Sequence, residues 1–290
     1  VAHPSLEITS ERVSRVKYIS TRGKAPILGL EDALLAGLAR DGGLYVPERW
    51  PSLSEAMIAS FQDKSFAEIA VDVLHPFMGD DVSRDRLVEI VNEAYAGFEH
   101  EAVTPLTDLG GGQYFLELYH GPTLAFKDVA MQLLARLMDD ALVRRGNRAT
   151  IIGATSGDTG GAAIEAFRSR EAVDVFILFP HGRVSDVQRK QMTTPQDTNV
   201  HTLSVDGTFD DCQALVKGMF NDVTFRSEMA LAGVNSINWA RVMAQITYYF
   251  AAAAQLGAPR QPIAFSVPTG NFGDIFAGYV AAQMGLPVVQ

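Results

Sequence analysis

The spacing of apolar positions changes character near residue 104. Before it, LEDALLAGLA (residues 30–39) repeats apolar residues at helical spacing, and the glycine- and proline-rich loop DGGLYVPERWP (41–51) ends it. DKSFAEIAVDVLHPFM (63–78) and SRDRLVEIVNEAYAGF (83–98) read as two further amphipathic helices, with Ser83 as a cap for the second. Strands and helices do not alternate regularly here. Residues 17–103 are therefore expected to form a small N-terminal α+β domain, preceded by a disordered or extended segment over 1–16.

From Thr104 onward strands and helices alternate. QYFLELY (113–119), ATIIGAT (149–155), VDVFILFP (173–180), NVHTLSVDG (199–207) and PIAFSVPTG (262–270) read as strands. FKDVAMQLLARLMDDALVRR (126–145), GDTGGAAIEAFRSR (157–170), SDVQRKQMTT (185–194), DDCQALVKGMF (210–220), SINWARVMAQITYYFAAAAQLG (236–257) and NFGDIFAGYVAAQMG (271–285) read as helices. Most of these strands are apolar on both faces, which predicts an α/β fold of parallel sheet with helices on both faces over 104–290. One lobe is expected around 150–255, and an incomplete second lobe includes 256–290. The chain stops at GLPVVQ, which reads as a helix end, a turn and the start of a buried strand, so a C-terminal truncation is expected.

Composition narrows the function classes. The 290 residues are 47% apolar and 20% charged, enough for a substantial core. A formal net charge of −10 opposes general affinity for nucleic acid, so an anionic substrate would need local donors. Cys212 is the only cysteine, which excludes an intrachain disulfide and a cysteine-rich zinc site; a small buried thiol is expected. His3, His75, His100, His120, His181 and His201 have no metal-like spacing, so no metal site is expected. No apolar run reaches the roughly 20 residues a membrane helix needs, and VAHPSLEITSER lacks a signal peptide's apolar stretch. A cytoplasmic location with no membrane partner is the expectation.

In a parallel α/β sheet, ligands bind beyond the carboxyl ends of strands. Three strand–helix turns stand out. In ELYHGPTLAFKDVAMQLL, Lys127 falls in the first turn of a helix, where the positive dipole end disfavours a charged amine and favours a reactive one. A surface lysine whose stem crosses an apolar patch is the open alternative. In IIGATSGDTGGAAIEAF, Thr155, Ser156, Gly157, Thr159, Gly160 and Gly161 make a hydroxyl-rich turn opening a helix, suited to a carboxylate or phosphate. The spacing fits neither a dinucleotide fingerprint nor a Walker loop, and a plain turn capped by Asp158 remains open. In AFSVPTGNFGDIFAGY, Gly270 and Gly273 allow close backbone approach, while Asn271 and Asp274 could serve only as caps. GVNSINWARVMAQ adds Asn235, Ser236 and Asn238 at a helix start and Arg241 one turn on, a fork suited to phosphate or carboxylate; a capped helix with a solvated arginine is equally open.

Taken in order, HGPTLAFKD, GATSGDTGGA, NSINWAR and PTGNFGD resemble the threonine synthase family, and YISTRGKAP and DGGLYVPE resemble its amino-terminal region. The resemblance runs from about Lys17 to the end. It implies a tryptophan-synthase β-type fold carrying pyridoxal 5'-phosphate, with Lys127 as the Schiff-base residue. It further implies that Gly270, Asn271, Phe272, Gly273 and Asp274 bind the cofactor phosphate, and that Asp158 sits where relatives place an Asn near the ring hydroxyl. The turn bearing Thr155, Ser156 and Thr159 would receive the substrate carboxylate, while Asn235, Ser236, Asn238 and Arg241 would hold the substrate phosphate. The reaction implied converts O-phosphohomoserine and water to threonine and phosphate, with Lys127 as the proton shuttle. The hydroxyl residue that relatives place beside the pyridine nitrogen lies past the end of this sequence. Two alternatives are a threonine or serine dehydratase, which has no substrate phosphate for Arg241, and a synthase-like protein that binds ligand without turnover.

Overall fold

The structure is a computed structural model and describes residues 16–233 and 238–289. The N-terminal part contains β1 (Tyr18–Ser20), α1 (Leu30–Ala36), β2 (Tyr45–Pro47), α2 (Glu55–Ala59), α3 (Phe66–Met78) and α4 (Arg84–Tyr95). β1 and β2 pair antiparallel. Ser65 and Glu68 form a reciprocal capping box on α3, and Ser83 accepts from the Arg86 amide at the start of α4, so local capping sets both boundaries.

β3 (Leu106–Gly110) and β4 (Gln113–Leu116) follow as an antiparallel hairpin. The sequence pattern predicts one strand over 113–119; instead Gly110, Gly111 and Gly112, all at positive φ, turn the chain so that Leu106 pairs with Leu116. Next come α5 (Lys127–Arg145), β5 (Ala149–Ala154), α6 (Asp158–Phe167), β6 (Val173–Pro180), α7 (Asp186–Thr193), β7 (Val200–Val205), α8 (Phe209–Asn221), α9 (Val223–Glu228), β8 (Leu231–Ala232), α10 (Trp239–Gln255) and α11 (Gly273–Gln283).

β5 to β8 form one parallel sheet in the order β7-β6-β5-β8. The chain winds outward from β5 through β6 to β7, then returns to the other side of β5 as β8. In parallel sheets, ligands sit beyond the carboxyl ends of the strands beside such a reversal, which here means the end of β5. Alternate residues of the strands feed different faces. Ile151, Val175 and Ile177 join the large core shared with α5, α6 and α10, whereas Ile152, Leu178 and Leu231 meet Cys212 and Val216 of α8 on the opposite face. Cys212 is fully buried, and burial pushes its thiol pKa up, as befits a packing residue. β7 is an edge strand with its residues exposed or half-buried, whereas β5 and β6 are mostly buried.

Residues 262–270 do not form the expected strand. Their exposure alternates, yet only Ile263 pairs, with Val288 in a single parallel bridge, among the described residues. An extended segment becomes a strand only with ladder neighbours on its hydrogen-bonding edges. No helix among the described residues is long and apolar enough to cross a membrane.

One continuous core joins the N-terminal helices to the sheet region. Its centre is Trp239, whose ring lies 5.6 Å from Phe77, 5.8 Å from Trp50, and 6.4 Å from both Tyr18 and Phe276. The Tyr18 hydroxyl donates to the Phe77 carbonyl at 2.8 Å, tying β1 to α3 beneath this cluster.

Candidate active site

The loop before α5 is built around a carboxylate, Asp128, that nothing in the sequence pattern singles out. Asp128 is fully buried, and its two oxygens accept from the Thr123 amide at 2.8 Å and the Thr123 hydroxyl at 2.6 Å. Burial raises the Asp128 pKa, with the Thr123 hydrogen bonds opposing that shift. A Cβ on Gly121 would lie 2.5 Å from that of Asp128, so only glycine lets the loop fold this closely over the carboxylate. Lys127 is thereby delivered as the first residue of α5.

Lys127 is half-buried, and its side chain retains 18% exposure. Its amine lies 4.6 Å from the centre of the Phe126 ring and donates to Asp158 Oδ2 at 3.4 Å. The structure therefore brings Lys127 and Asp158 together just beyond the carboxyl end of β5. Asp158 is the first residue of α6 and not its cap; the cap position is Gly157, which has no side chain to bond. The Asp158 carboxylate also accepts from Gln188 Nε2 of α7.

The turn over 155–160 has its own internal latch. Thr155 is 2% exposed, and its Oγ1 accepts from the amides of Gly157 at 3.0 Å and Gly160 at 2.9 Å. A Cβ on Gly160 would lie 2.5 Å from Thr155 Cγ2 and 2.7 Å from Met192 Sδ, so the turn packs directly on α7. Ser156 is exposed and Thr159 half-buried. Thr155 holds the turn's shape, while Ser156 and Thr159 lie on the more open side.

The turn over 270–274 rests on α10. Asp274 O accepts from the Tyr249 hydroxyl at 2.8 Å, and the ideal Cβ position of Gly273 is 4.0 Å from Gln245 Nε2. Phe272 caps α11 with φ 58°, leaving its ring 63% exposed. Gly270 and Asn271 are exposed, with open space around the Cβ position of Gly270. The structure uses neither Asn271 nor Asp274 as the cap; Asp274 Oδ1 accepts from the adjacent Ile275 amide at 2.9 Å.

Asn238 and Arg241 sit at the start of α10, and Asn235 and Ser236 lie outside the described residues. Asn238 is the cap: Oδ1 accepts from the Ala240 amide at 3.0 Å, while Nδ2 donates to the Leu34 carbonyl at 2.8 Å. Its 1% exposure makes it a tether between α10 and α1. Arg241 is 6% exposed, and burial pushes its pKa down to about 10. It is a buried guanidinium, not a solvated one.

The hairpin β3–β4 supports the start of the Lys127 loop. Glu117 accepts from the Thr107 hydroxyl at 2.5 Å and sits 2.7 Å from His120 Nε2, while the His120 carbonyl accepts from the Glu99 amide at 2.9 Å. The Thr107 bond first, then those to His120 and Tyr119, hold the Glu117 pKa down at about 2 from the usual 4.5. A depressed carboxylate pKa stabilises the fold above the unfolded value, and that contribution is lost as pH falls from about 4.5 through about 2. Glu117→Gln should therefore flatten the fall in melting temperature across that window; an unchanged slope would show that other carboxylates govern the acid limb.

A family model described as "Threonine synthase N terminus" matches residues 17–95, and one described as "Pyridoxal-phosphate dependent enzyme" matches residues 98–290. The threonine synthase of Pseudomonas aeruginosa is 57% identical over 275 residues, covering 95% of this chain and 59% of that protein. The solved pyridoxal-phosphate-bound threonine synthase from Brucella melitensis is 61% identical with a TM-score of 0.93, covering 95% of this chain and 59% of that one. The yeast threonine synthase structure is 42% identical with a TM-score of 0.88, covering 96% and 57%. The chain thus spans somewhat under three-fifths of the length of these relatives. With its parallel sheet, its N-terminal region and residues 98–290 all accounted for by these matches, the chain belongs to the pyridoxal-phosphate-dependent enzyme family.

Proposed function

We propose that the protein is a threonine synthase, converting O-phosphohomoserine and water to threonine and phosphate. The observation that carries this reading is the Lys127 amine, half-buried at the first residue of α5 and 3.4 Å from the carboxylate that opens α6. The residues present suit pyridoxal phosphate. A primary amine lies beyond the carboxyl end of β5 beside the Asp158 carboxylate, and Gly270 leaves open space at an exposed turn into an 11-residue helix. When bound, the cofactor supplies the electron sink that stabilises negative charge developing at the substrate's carbons.

The chain's own residues supply the rest. Lys127 would hold the cofactor covalently, and its amine would be the base that removes and returns a proton at the substrate's Cα. Asp158 would face the cofactor's ring hydroxyl, and the amides of Gly270 to Asp274, including those of Asn271, Phe272 and Gly273, would hold its phosphate. Ser156 and Thr159 meet the substrate carboxylate on the turn that Thr155 keeps in shape. Arg241, with Asn235 and Ser236, holds the substrate phosphate. Asn238 contributes by fixing the helix start that carries them. Burial of Arg241 supports this assignment, because a partly desolvated guanidinium binds phosphate more strongly than one in water.

The protein loaded with pyridoxal phosphate and given O-phosphohomoserine should release phosphate and threonine in equal amounts. Phosphate without threonine would assign a different elimination, and release of neither would leave only a binding role.

A further inference from the structure

The Asp158 carboxylate has a second neighbour besides Lys127. Gln188, on the first turn of α7, donates from Nε2 to Asp158 Oδ1, while Asp158 Oδ2 faces the Lys127 amine. The direction of this amide is set from behind. The Ser185 hydroxyl donates to Gln188 Oε1 at 3.0 Å and accepts from the Gln188 amide at 3.3 Å as the cap of α7. A carboxylate can only accept, so the Gln188 NH2 group is the end that must face Asp158. Space for this arrangement comes from Gly157. A Cβ there would lie 2.5 Å from Gln188 Oε1 and 2.6 Å from Cδ and Nε2. One missing methyl group thus lets a side chain from α7 reach across the turn to the residue that faces Lys127.

We propose that Gln188 is a positioning residue, directed by Ser185 and admitted by Gly157, that fixes the Asp158 carboxylate with one oxygen toward the Lys127 amine. Asp158 is half-exposed, and a carboxylate on the first residue of a helix can rotate freely about its terminal torsion unless both oxygens are engaged. Gln188 removes that freedom. The negative charge beside the amine then has a set direction, and the electrostatic environment of a cofactor carried on Lys127 is uniform instead of averaged over rotamers. The inference rests on Lys127 carrying the cofactor, as proposed above.

The test measures the absorbance of the bound cofactor against pH in the loaded protein. Reduction with borohydride and peptide mapping first locates the cofactor, so failure of the Lys127 assignment is seen separately from failure of the role given to Gln188. In Gln188→Ala the cofactor should remain on Lys127, with the thermal midpoint close to that of the parent. The midpoint of its absorbance titration should move by about half a pH unit or more, the scale on which a nearby charge acts at a partly exposed site. Ser185→Ala should give a smaller shift in the same direction. In an Asp158→Ala background, Gln188→Ala should produce no further shift, since its effect passes through the carboxylate. An unmoved midpoint in Gln188→Ala, or an equal shift with and without Asp158, overturns the proposal.

Discussion

Replacing Lys127 with alanine is expected to lower threonine formation by roughly a thousandfold or more, while leaving the fold as stable as before or slightly more so. General acid–base catalysis by a placed side chain contributes about 10²–10⁴, and loss of the covalent attachment adds to that. The stability side follows from position. Lys127 is the first residue of α5, where its charge opposes the helix dipole and where alanine is the better helix former. Its ion pair with Asp158 spans 3.4 Å, with the carboxylate half-exposed, a class of contact that contributes little. A fold-neutral change with a large activity loss marks a residue kept for chemistry. Phosphate and threonine release, measured beside a thermal melt, checks both halves. A variant that still turns over near the parent rate would remove Lys127 from the reaction.

Sequence patterns make most of the scaffold legible because its signals are local. The capping serine at 83 and the β-branched runs of β5 and β6 act within a few residues. The hairpin is harder to read: its GGG tract is a turn signal, but the strand before it, LTDLG, is short and lacks the apolar run that marks QYFLELY. The misreading of 262–270 has a different cause: alternation shows that a segment is extended but not whether neighbours complete its ladder. Candidate site residues on turns are visible as residue types, yet their partners are not. Asn238 reaches Leu34, 204 residues earlier, and Gln188 reaches Asp158 from a different helix. Nothing local separates such a tether from a ligand-binding amide. The role of Asp128 beside Lys127 is not legible in sequence, because a buried acid and a solvated helix-start acid look alike there.

Replacing Trp239 with alanine is expected to cost about 3–5 kcal/mol of folding stability, a large fraction of the roughly 5–15 kcal/mol typical of a domain. The ring is 1% exposed and is surrounded by Tyr18, Trp50, Phe77 and Phe276, which come from four separate parts of the chain. Its removal leaves a cavity that rings held by β1, α3 and α11 cannot all collapse to fill. Because Phe77 belongs to the N-terminal region and Trp239 opens α10, this cluster binds the proposed 17–103 domain to the remainder. Urea unfolding should accordingly shift as one transition, with the fluorescence of Trp50 and far-ultraviolet dichroism moving together. Two separated transitions would show that the N-terminal region folds on its own. The same substitution reaches the site through α10. That helix carries Arg241 and, through the Tyr249 hydroxyl, holds the Asp274 carbonyl of the turn proposed for the cofactor phosphate. Bound cofactor at 100 times its dissociation constant should stabilise the parent by about 2.7 kcal/mol. At the same cofactor concentration the Trp239→Ala protein should gain less, because binding must first reorder a helix that the aromatic cluster no longer holds. An equal gain in both proteins would mean that the 270–274 turn binds cofactor independently of the α10 start, and that the cluster serves stability alone.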